Sequence, residues 1–154
     1  MNEGFKINFR WKIKDIERMK ELPLYSFERA LKYIAICVWG EMGKEAPYDH
    51  GRLAGSFDLK SIRKFAWGIY SGVLYSIFVH EGTGVHGPVG QPYFISPVTK
   101  KALHWKKGGV DYFSKGHWVF GQKPDPYADR AVETAQNRVS EFIKRAIRET
   151  KWLD

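Results

Sequence analysis

The stretch Ala46-Pro47-Tyr48-Asp49-His50-Gly51-Arg52-Leu53-Ala54-Gly55-Ser56-Phe57 separates a helical apolar pattern on its N-terminal side from strand-like patterns on its C-terminal side. Pro47 and Gly51 are residue types that end a helix, and Asp49 can cap a helix or turn the chain. Leu53 and Phe57 are apolar again, which predicts that the chain re-enters a core there. The stretch therefore predicts the turn that joins a helix to the strands that follow it.

Helical patterns lie on both sides of this turn. Residues 15–43 contain a first short helix, which Asp15 can cap and which carries Ile16 and Met19. Pro23 fits the first turn of a second helix. Apolar residues three and four apart give this second helix one face: Leu24, Phe27, Leu31, Ile34 and Val38. Residues 127–152 predict one C-terminal helix with the same spacing, at Ala128, Val132, Ala135, Val139, Phe142 and Ala146, widened by Ile143 and Ile147.

Strand patterns occur at the N-terminus and in the middle of the chain. Residues 1–13 predict a strand or arm, in which an apolar side alternates with a basic and polar one: Phe5, Ile7, Phe9, Trp11 and Ile13 against Lys6, Asn8, Arg10 and Lys12. Such a terminal strand is either an edge strand or an arm that pairs with a neighbour. Residues 61–65 and 68–71 predict short strands, and residues 73–79 predict a stronger one that ends at His80.

Two segments have unusual composition. Residues 82–97 contain four glycines and three prolines, which predicts a loop without regular structure, mobile in a free subunit and ordered in an assembly. Residues 99–123 contain six lysines against Asp111 alone. Within this second segment, residues 103–106 and 117–120 predict strands that pair across Gly108-Gly109, as a hairpin or an insertion.

The composition limits the classes of protein that are possible. A chain of 154 residues is most simply one domain over 1–154, and its single cysteine, Cys37, excludes a disulfide framework and a cysteine-based zinc site. We expect no signal peptide, no transmembrane helix and no membrane partner, because no long apolar run is present. The net charge of +8 fits either a nucleic-acid partner or the ordinary solubility of a small domain.

Motifs for catalysis or cofactor binding are incomplete. The string Gly82-Thr83-Gly84-Val85-His86-Gly87 has dinucleotide-binding spacing, but Pro88 and Pro92 exclude the helix that must follow it. His80 and His86 lie six residues apart, whereas the zinc motif needs two histidines four apart on a helix. Because no Ser–His–Asp arrangement or phosphate-binding lysine loop stands out either, the sequence predicts a non-enzymatic protein without cofactor or metal.

Aromatic residues alternate with lysines in the segment 99–123. Rings that stack on bases, beside lysines that meet phosphates, are typical of single-strand nucleic-acid binding. The candidate contacts are Lys100, Lys101, Trp105, Lys106 and Lys107. The alternative is a β-hairpin with one packed face and one solvated face.

Three strings in the chain resemble one protein family. Residues 46–56 are similar to a signature of the tail-completion proteins (neck, or head–tail joining, proteins) of long-tailed phages, with His50 where threonine is usual. Tyr75 to Gly84 resembles the strand and loop of that family, with His80 between Val79 and Glu81. The string Asp125-Pro126-Tyr127-Ala128 and the helix after it resemble the family's C-terminal part. The similarity spans residues 24–150 in matching order, and 99–123 resembles an insertion seen in some members.

This resemblance implies a fold and a role. The implied fold is α+β, with an antiparallel sheet of about four to five strands packed against one long N-terminal-half helix and one C-terminal helix. The implied role is a structural virion protein, made in the host cytoplasm, that forms a homo-oligomeric ring, commonly a hexamer, between the head-connector and tail-tube proteins. The alternative is a small basic, aromatic-rich nucleic-acid-binding domain, and non-specific DNA contact is compatible with both.

Particular residues follow from this interpretation. The resemblance gives structural roles to Pro47, Asp49, Gly51, Leu53, Ser56, Tyr75, Glu81, Gly82, Thr83, Pro126 and Tyr127. We expect Gly51 and Gly82 to have positive φ or close packing. The N-terminal strand and the Gly/Pro-rich loop suit an oligomer interface, with candidates Phe5, Ile7, Phe9, Trp11, Gly84 and His86.

Overall fold

The computed structural model describes residues 22–48 and 50–150. Helices and antiparallel strands are both present, so the predicted α+β class is confirmed. The described residues form two compact units, the first made of residues 22–76 and 126–150 and the second of residues 77–125. We call them the helical unit and the ladder unit. The prediction of a single domain over the whole chain stays a prediction.

The helical unit is built on one long helix. Helix α1 spans Leu24–Glu45 and contacts both C-terminal helices, which are named α3 and α4 below, and the hairpin of β1 (Phe57–Arg63) and β2 (Ala66–Ser71). The two predicted short strands are present with different bounds, since β1 begins at Phe57 and residues 64 and 65, predicted as strand, form the turn. Its register pairs Phe57 with Ser71 and Leu59 with Ile69, which places these residues on one face of the hairpin.

Helix α1 buries a different stripe from the one predicted. The side chains that point inward are Ser26, Ala30, Ile34, Val38 and Met42, whereas Leu24 is 63% exposed. Phe27 is half-buried and lies against Phe65 of the β1–β2 turn, with ring centroids 5.4 Å apart. The inward stripe begins with the small side chains of Ser26 and Ala30, and small residues allow close helix packing. The prediction was therefore right at Ile34 and Val38 and wrong at Leu24.

The C-terminal part contains two helices and not the one continuous helix predicted. Helix α3 spans Tyr127–Asn137 and helix α4 spans Val139–Thr150, with Arg138 between them. The N–H of Arg138 reaches the carbonyls of Ala135 and Gln136, which tightens the last turn of α3 and ends it. The predicted apolar stripe still faces inward in full, with buried Ala128, Val132, Ala135, Val139, Phe142 and Ala146.

The segment predicted as a strand at residues 73–79 is helical. Helix α2 spans Ser76–Glu81, so His80 lies in a helix and not at a strand end. Gly82 follows it with φ of +77°, the left-handed conformation that glycine adopts after the end of a helix. Ser76 and His80, one helical turn apart, are both buried. The packing of this helical face therefore outweighs the strand preference of the β-branched and aromatic residues in the segment.

The ladder unit contains two short antiparallel pairs. Strand β4 (Leu103–Lys107) pairs with β5 (Val110–Ser114) across Gly108-Gly109, and β3 (Tyr93–Ile95) pairs with β6 (His117–Val119). The predicted pairing of 103–106 with 117–120 is therefore wrong. The first predicted strand pairs instead with β5, which is closer along the chain. The second pairs with β3, which lies inside the Gly/Pro-rich loop.

The strands do not form the single sheet of four to five strands that the resemblance implied. The described residues contain three separate two-stranded sheets, β1–β2, β3–β6 and β4–β5. The loop 82–97 also has regular structure, since it contains β3 and a short 3₁₀ turn at Gly84–His86. None of the described helices is both long and apolar enough to span a bilayer.

Candidate functional site

Residues from two of the family-like strings, and Phe57 directly after the third, meet around Tyr127 in the helical unit. The Tyr127 side chain is 1% exposed, and its hydroxyl donates to the backbone carbonyl of Ser76 at 3.2 Å. Its ring lies beside that of Phe57, with centroids 5.7 Å apart. Tyr127 therefore connects the start of α3 to the start of α2 and to the first residue of β1.

The turn after α1 is held by its own hydrogen bonds. The Ser56 hydroxyl donates to the Leu53 carbonyl at 2.7 Å and lies 2.9 Å from the Ser71 hydroxyl. Leu53 is buried, as the sequence predicted. Gly51 has φ of +71°, which confirms the expected left-handed conformation, and His50 before it has φ of +56°. The motif residues of this turn therefore have structural contacts.

The other family-like residues lie at the ends of elements. Pro47 is exposed beyond the end of α1, and Pro126 precedes the first residue of α3. Tyr75 is exposed before α2, and Glu81 is the half-buried last residue of α2. Asp49 and the predicted N-terminal interface residues Phe5, Ile7, Phe9 and Trp11 lie outside the described residues.

Two segments of the ladder unit cross at close range, and we call residues 82–87 and 120–125 the glycine crossing. The Thr83 N–H donates to the Gln122 carbonyl at 3.0 Å, and the Val85 N–H donates to the Phe120 carbonyl at 2.8 Å. The Gln122 N–H in turn donates to the Thr83 hydroxyl at 3.0 Å. These bonds fix the first part of the loop 82–97 to the chain beyond β6.

Glycine is required where the two segments of the crossing touch. A Cβ on Gly84 would lie 2.2 Å from the Phe120 carbonyl oxygen, and a Cβ on Gly121 would lie 1.9 Å from the Thr83 carbonyl oxygen. Both glycines also have positive φ. Gly84 thus has an internal role, and its predicted place in an oligomer interface stays a prediction, as does that of the exposed His86.

The ladder unit exposes most of its aromatic side chains. Seven aromatic residues, on both faces of the two strand pairs or just after β6, have exposed fractions from 39% to 70%, and together we call them the aromatic surface: Tyr93, Phe94, Trp105, Tyr112, Phe113, Trp118 and Phe120. Some of the rings contact each other, as Phe94 and Trp118 do with centroids 5.6 Å apart. Every buried apolar side chain in the described chain belongs instead to the helical unit. The ladder unit therefore presents apolar rings to its surroundings.

The predicted nucleic-acid contacts lie at or beside β4. Lys100 and Lys101 are exposed before this strand, and Trp105, Lys106 and Lys107 lie within it. Alternation along the strand puts Lys106 on one face and Trp105 and Lys107 on the other, so the five residues do not form one surface.

Sequence reasoning missed the partners of β4 on the face that carries Lys106. Phe113 lies directly opposite His104, and their rings stack with centroids 4.7 Å apart. The Asp111 carboxylate lies 2.6 Å from His104 Nε2 and 3.7 Å from Lys106 Nζ. The sequence does contain a signal for the pairing of β4 with β5, because two glycines between alternating segments are typical of a hairpin turn.

Two residues with reactive side chains, Cys37 and His117, are half-buried. Burial raises the pKa of the Cys37 thiol, which favours the uncharged form, and the Arg138 guanidinium Nη1 lies 3.7 Å from its Sγ. His117 Nδ1 is buried without a hydrogen-bond partner among the described residues, and the His117 ring lies 5.1 Å from that of Trp105. Within residues 22–48 and 50–150, no three His, Cys, Asp or Glu side chains are grouped to hold a metal ion.

Comparisons of the chain with protein-family models, with curated proteins and with solved structures find no match. Membership of the tail-completion family therefore stays a prediction that rests on the three strings.

Proposed function

We propose that this chain is a non-enzymatic assembly protein, of the tail-completion type, whose subunits join into a ring at the head–tail junction of a tailed phage or prophage. The observation that carries the proposal is the aromatic surface of the ladder unit. Exposed rings that touch each other, as Phe94 and Trp118 do, form apolar patches, and an exposed apolar patch is a typical mark of a binding site. The core of a protein interface is enriched in aromatic side chains, as this surface is.

The strand pairs supply a second reason to expect association. Each sheet in the described chain has two strands, so each strand has one edge whose backbone groups are not paired within the sheet. An added strand can pair with such an edge, through backbone hydrogen bonds and alternating side-chain pockets. The alternating residues 5–13, which lie outside the described residues, have the pattern of a strand that could be donated by a neighbouring subunit.

The family-like residues support a structural role in a different way. Tyr127, Leu53 and Ser56 are engaged in packing and in hydrogen bonds that fix the turns of the helical unit. Residues with such contacts hold the subunit in shape, and the aromatic surface is left to make contacts outside it. The head-connector and tail-tube proteins are the proposed partners of the ring, and the virion is its proposed location.

The test compares the full chain with a variant that carries Phe94→Ser and Trp118→Ser. These two rings contact each other and are 54% and 62% exposed, so their loss should leave the fold intact. Sedimentation velocity over a wide range of protein concentrations should show association of the unmodified chain and weaker association of the variant. A head–tail joining assay should show the same loss.

Leu74→Ser provides the matched control, since Leu74 is 88% exposed in the helical unit and should not affect association. Circular dichroism would verify that all three proteins are folded. The proposal is wrong if the double variant associates and joins heads to tails as well as the unmodified chain does. It is also wrong if Leu74→Ser weakens both properties equally.

A further inference from the structure

The hairpin of β4 and β5 carries different side chains on its two faces. Trp105 and Tyr112 stack on one face, with centroids 5.7 Å apart, where Trp105 also contacts His117 of β6. The opposite face carries His104, Lys106, Asp111 and Phe113, and we call it the open face. The Phe113 ring on this face is 70% exposed.

The charge around the hairpin is strongly unbalanced. Residues 100–115 contain five lysines, and Asp111 is their only acidic residue. All five lysines are exposed. The single carboxylate faces His104 and Lys106 at hydrogen-bond or ion-pair distance, so its negative charge is compensated locally. The hairpin therefore attracts a polyanion.

We propose that the open face binds single-stranded nucleic acid, with a base stacked on Phe113 and the neighbouring phosphates held by Lys106 and the lysines around the hairpin. A fully charged polyanion without bases would use the lysines but would gain nothing from an exposed ring. A duplex keeps its bases stacked on each other, whereas a single strand offers a base face to an aromatic side chain.

The tip of the hairpin gives the strand access to this face. Gly108 and Gly109 both have positive φ, which makes the tight turn between β4 and β5, and a Cβ on either would meet no atom within 4 Å. The tip of the turn is therefore not covered by other residues. A phosphate backbone can approach it beside Lys106.

The binding test uses the full-length protein and a fluorescein-labelled oligothymidylate, followed by fluorescence anisotropy at several salt concentrations. Phe113→Ala should weaken binding about five- to a hundredfold, the range expected for loss of one stacked base. Phe78→Ala is the matched control, because Phe78 is 56% exposed in the same unit but lies in α2, outside both the hairpin and the aromatic surface.

A second pair of variants tests the phosphate contacts. The substitution Lys106→Gln should reduce the slope of log affinity against log salt by about 0.7, which corresponds to one phosphate contact on a single strand. Lys144→Gln, an exposed lysine of α4, should leave the slope unchanged.

Four results would overturn the proposal. The oligothymidylate does not bind even at low salt, or a duplex of equal length binds as tightly as the single strand. In the third result, Phe113→Ala and Phe78→Ala affect binding equally. In the fourth, Phe113→Ala reduces self-association in the sedimentation experiment but not oligonucleotide binding, which would make the open face a contact between copies of this chain. The first three results concern oligonucleotide binding alone, so they are read in the same way whether or not the chain assembles into a ring.

Discussion

The helical unit and the ladder unit share one chain but are stabilised by different interactions. The helical unit buries apolar side chains from α1, β1, α3 and α4, among them Ile34, Phe57 and Val139 at 8% exposure or less. The ladder unit has no buried apolar side chain, and its described buried residues are His80 and Gly82. Side-chain burial thus supports one unit, whereas backbone hydrogen bonds and close glycine contacts support the other.

This difference indicates that the helical unit stabilises the subunit and that the ladder unit is available to bind partners. Burial of apolar area is the main favourable term in folding, so the helical unit has the larger share of the stabilising interactions within the subunit. The aromatic rings of the ladder unit contribute little to that term while they stay exposed. They can contribute when another surface covers them, which is the reason to assign binding to the ladder unit.

The largest expected effect is the contrast between a buried and an exposed apolar residue. Ile34→Ala in α1 should destabilise the protein by about 2–5 kcal/mol, because the side chain is 3% exposed and its removal leaves a cavity. Trp118→Ala in β6 removes a larger side chain that is 62% exposed, and it should change stability by about 0.5 kcal/mol or less. Urea unfolding followed by far-ultraviolet circular dichroism measures both.

The two substitutions are informative as a pair. Trp118→Ala could lower the free energy of unfolding of the dilute monomer as much as Ile34→Ala does. The ladder unit would then have a stabilising apolar core, contrary to the difference between the two units described above. The measurement should be made at low protein concentration, since association would add stability through the same ring.

The second effect is confined to the glycine crossing. Gly84→Ala should destabilise by about 1–3 kcal/mol or more, because the position has φ of +61° and the added Cβ would overlap the Phe120 carbonyl. Gly90→Ala is the matched control, because Gly90 has φ of +66° but open space around its Cβ position. The difference between their unfolding free energies isolates the cost of the close approach.

Thermal unfolding in the same buffer would give this difference. Equal melting temperatures for the two variants would mean that the crossing opens without cost. The ladder unit would then lack the backbone support that we assign to it.

Periodicity predicted the helical unit well where one face of a long helix is buried. The stripe from Ala128 to Ala146 was correct at every position, even though Arg138 divides the helix in two. The register of α1 was less predictable, because Leu24 and Ala30 both lie at helical spacing. Which of them is buried depends on the elements that pack against α1, and the sequence of α1 does not contain that information.

The ladder unit was less predictable for physical reasons. Strand pairing is decided by contacts between segments, so β6 paired with β3 inside a loop whose glycines and prolines suggested no structure. The β-branched run before Gly82 became a helix for the same reason. The two glycines correctly predict a turn at Gly108-Gly109, but the strand after the turn is β5 and not the predicted segment 117–120. The open face, with His104 opposite Phe113, follows only from that register.

The smallest expected effect concerns a polar contact at the edge of the helical core. The Tyr33 hydroxyl of α1 donates to the Glu149 carboxylate of α4, and Arg145 Nε lies 2.9 Å from the same carboxylate. Arg29 Nε is 3.4 Å away. The hydrogen bond from Tyr33, and then that from Arg145, hold the pKa of Glu149 below its ordinary value of 4.5.

A carboxyl whose pKa is lower in the folded state stabilises the fold at pH values above its unfolded pKa, and this contribution is lost as the pH falls through the folded value. The unmodified chain should therefore be slightly more stable than Glu149→Gln at pH 6, and the difference should shrink as the pH falls below 4.5. The effect should be small, because the Glu149 side chain is 31% exposed and salt screens its ion pairs. Melting temperatures measured across this pH range, with Glu133→Gln as an exposed control on α3, would detect it. A difference that stays constant with pH would mean that the carboxylate charge contributes nothing to the contact between α1 and α4. The stability of the helical unit would then rest on its buried apolar side chains, and its contrast with the ladder unit would be sharper.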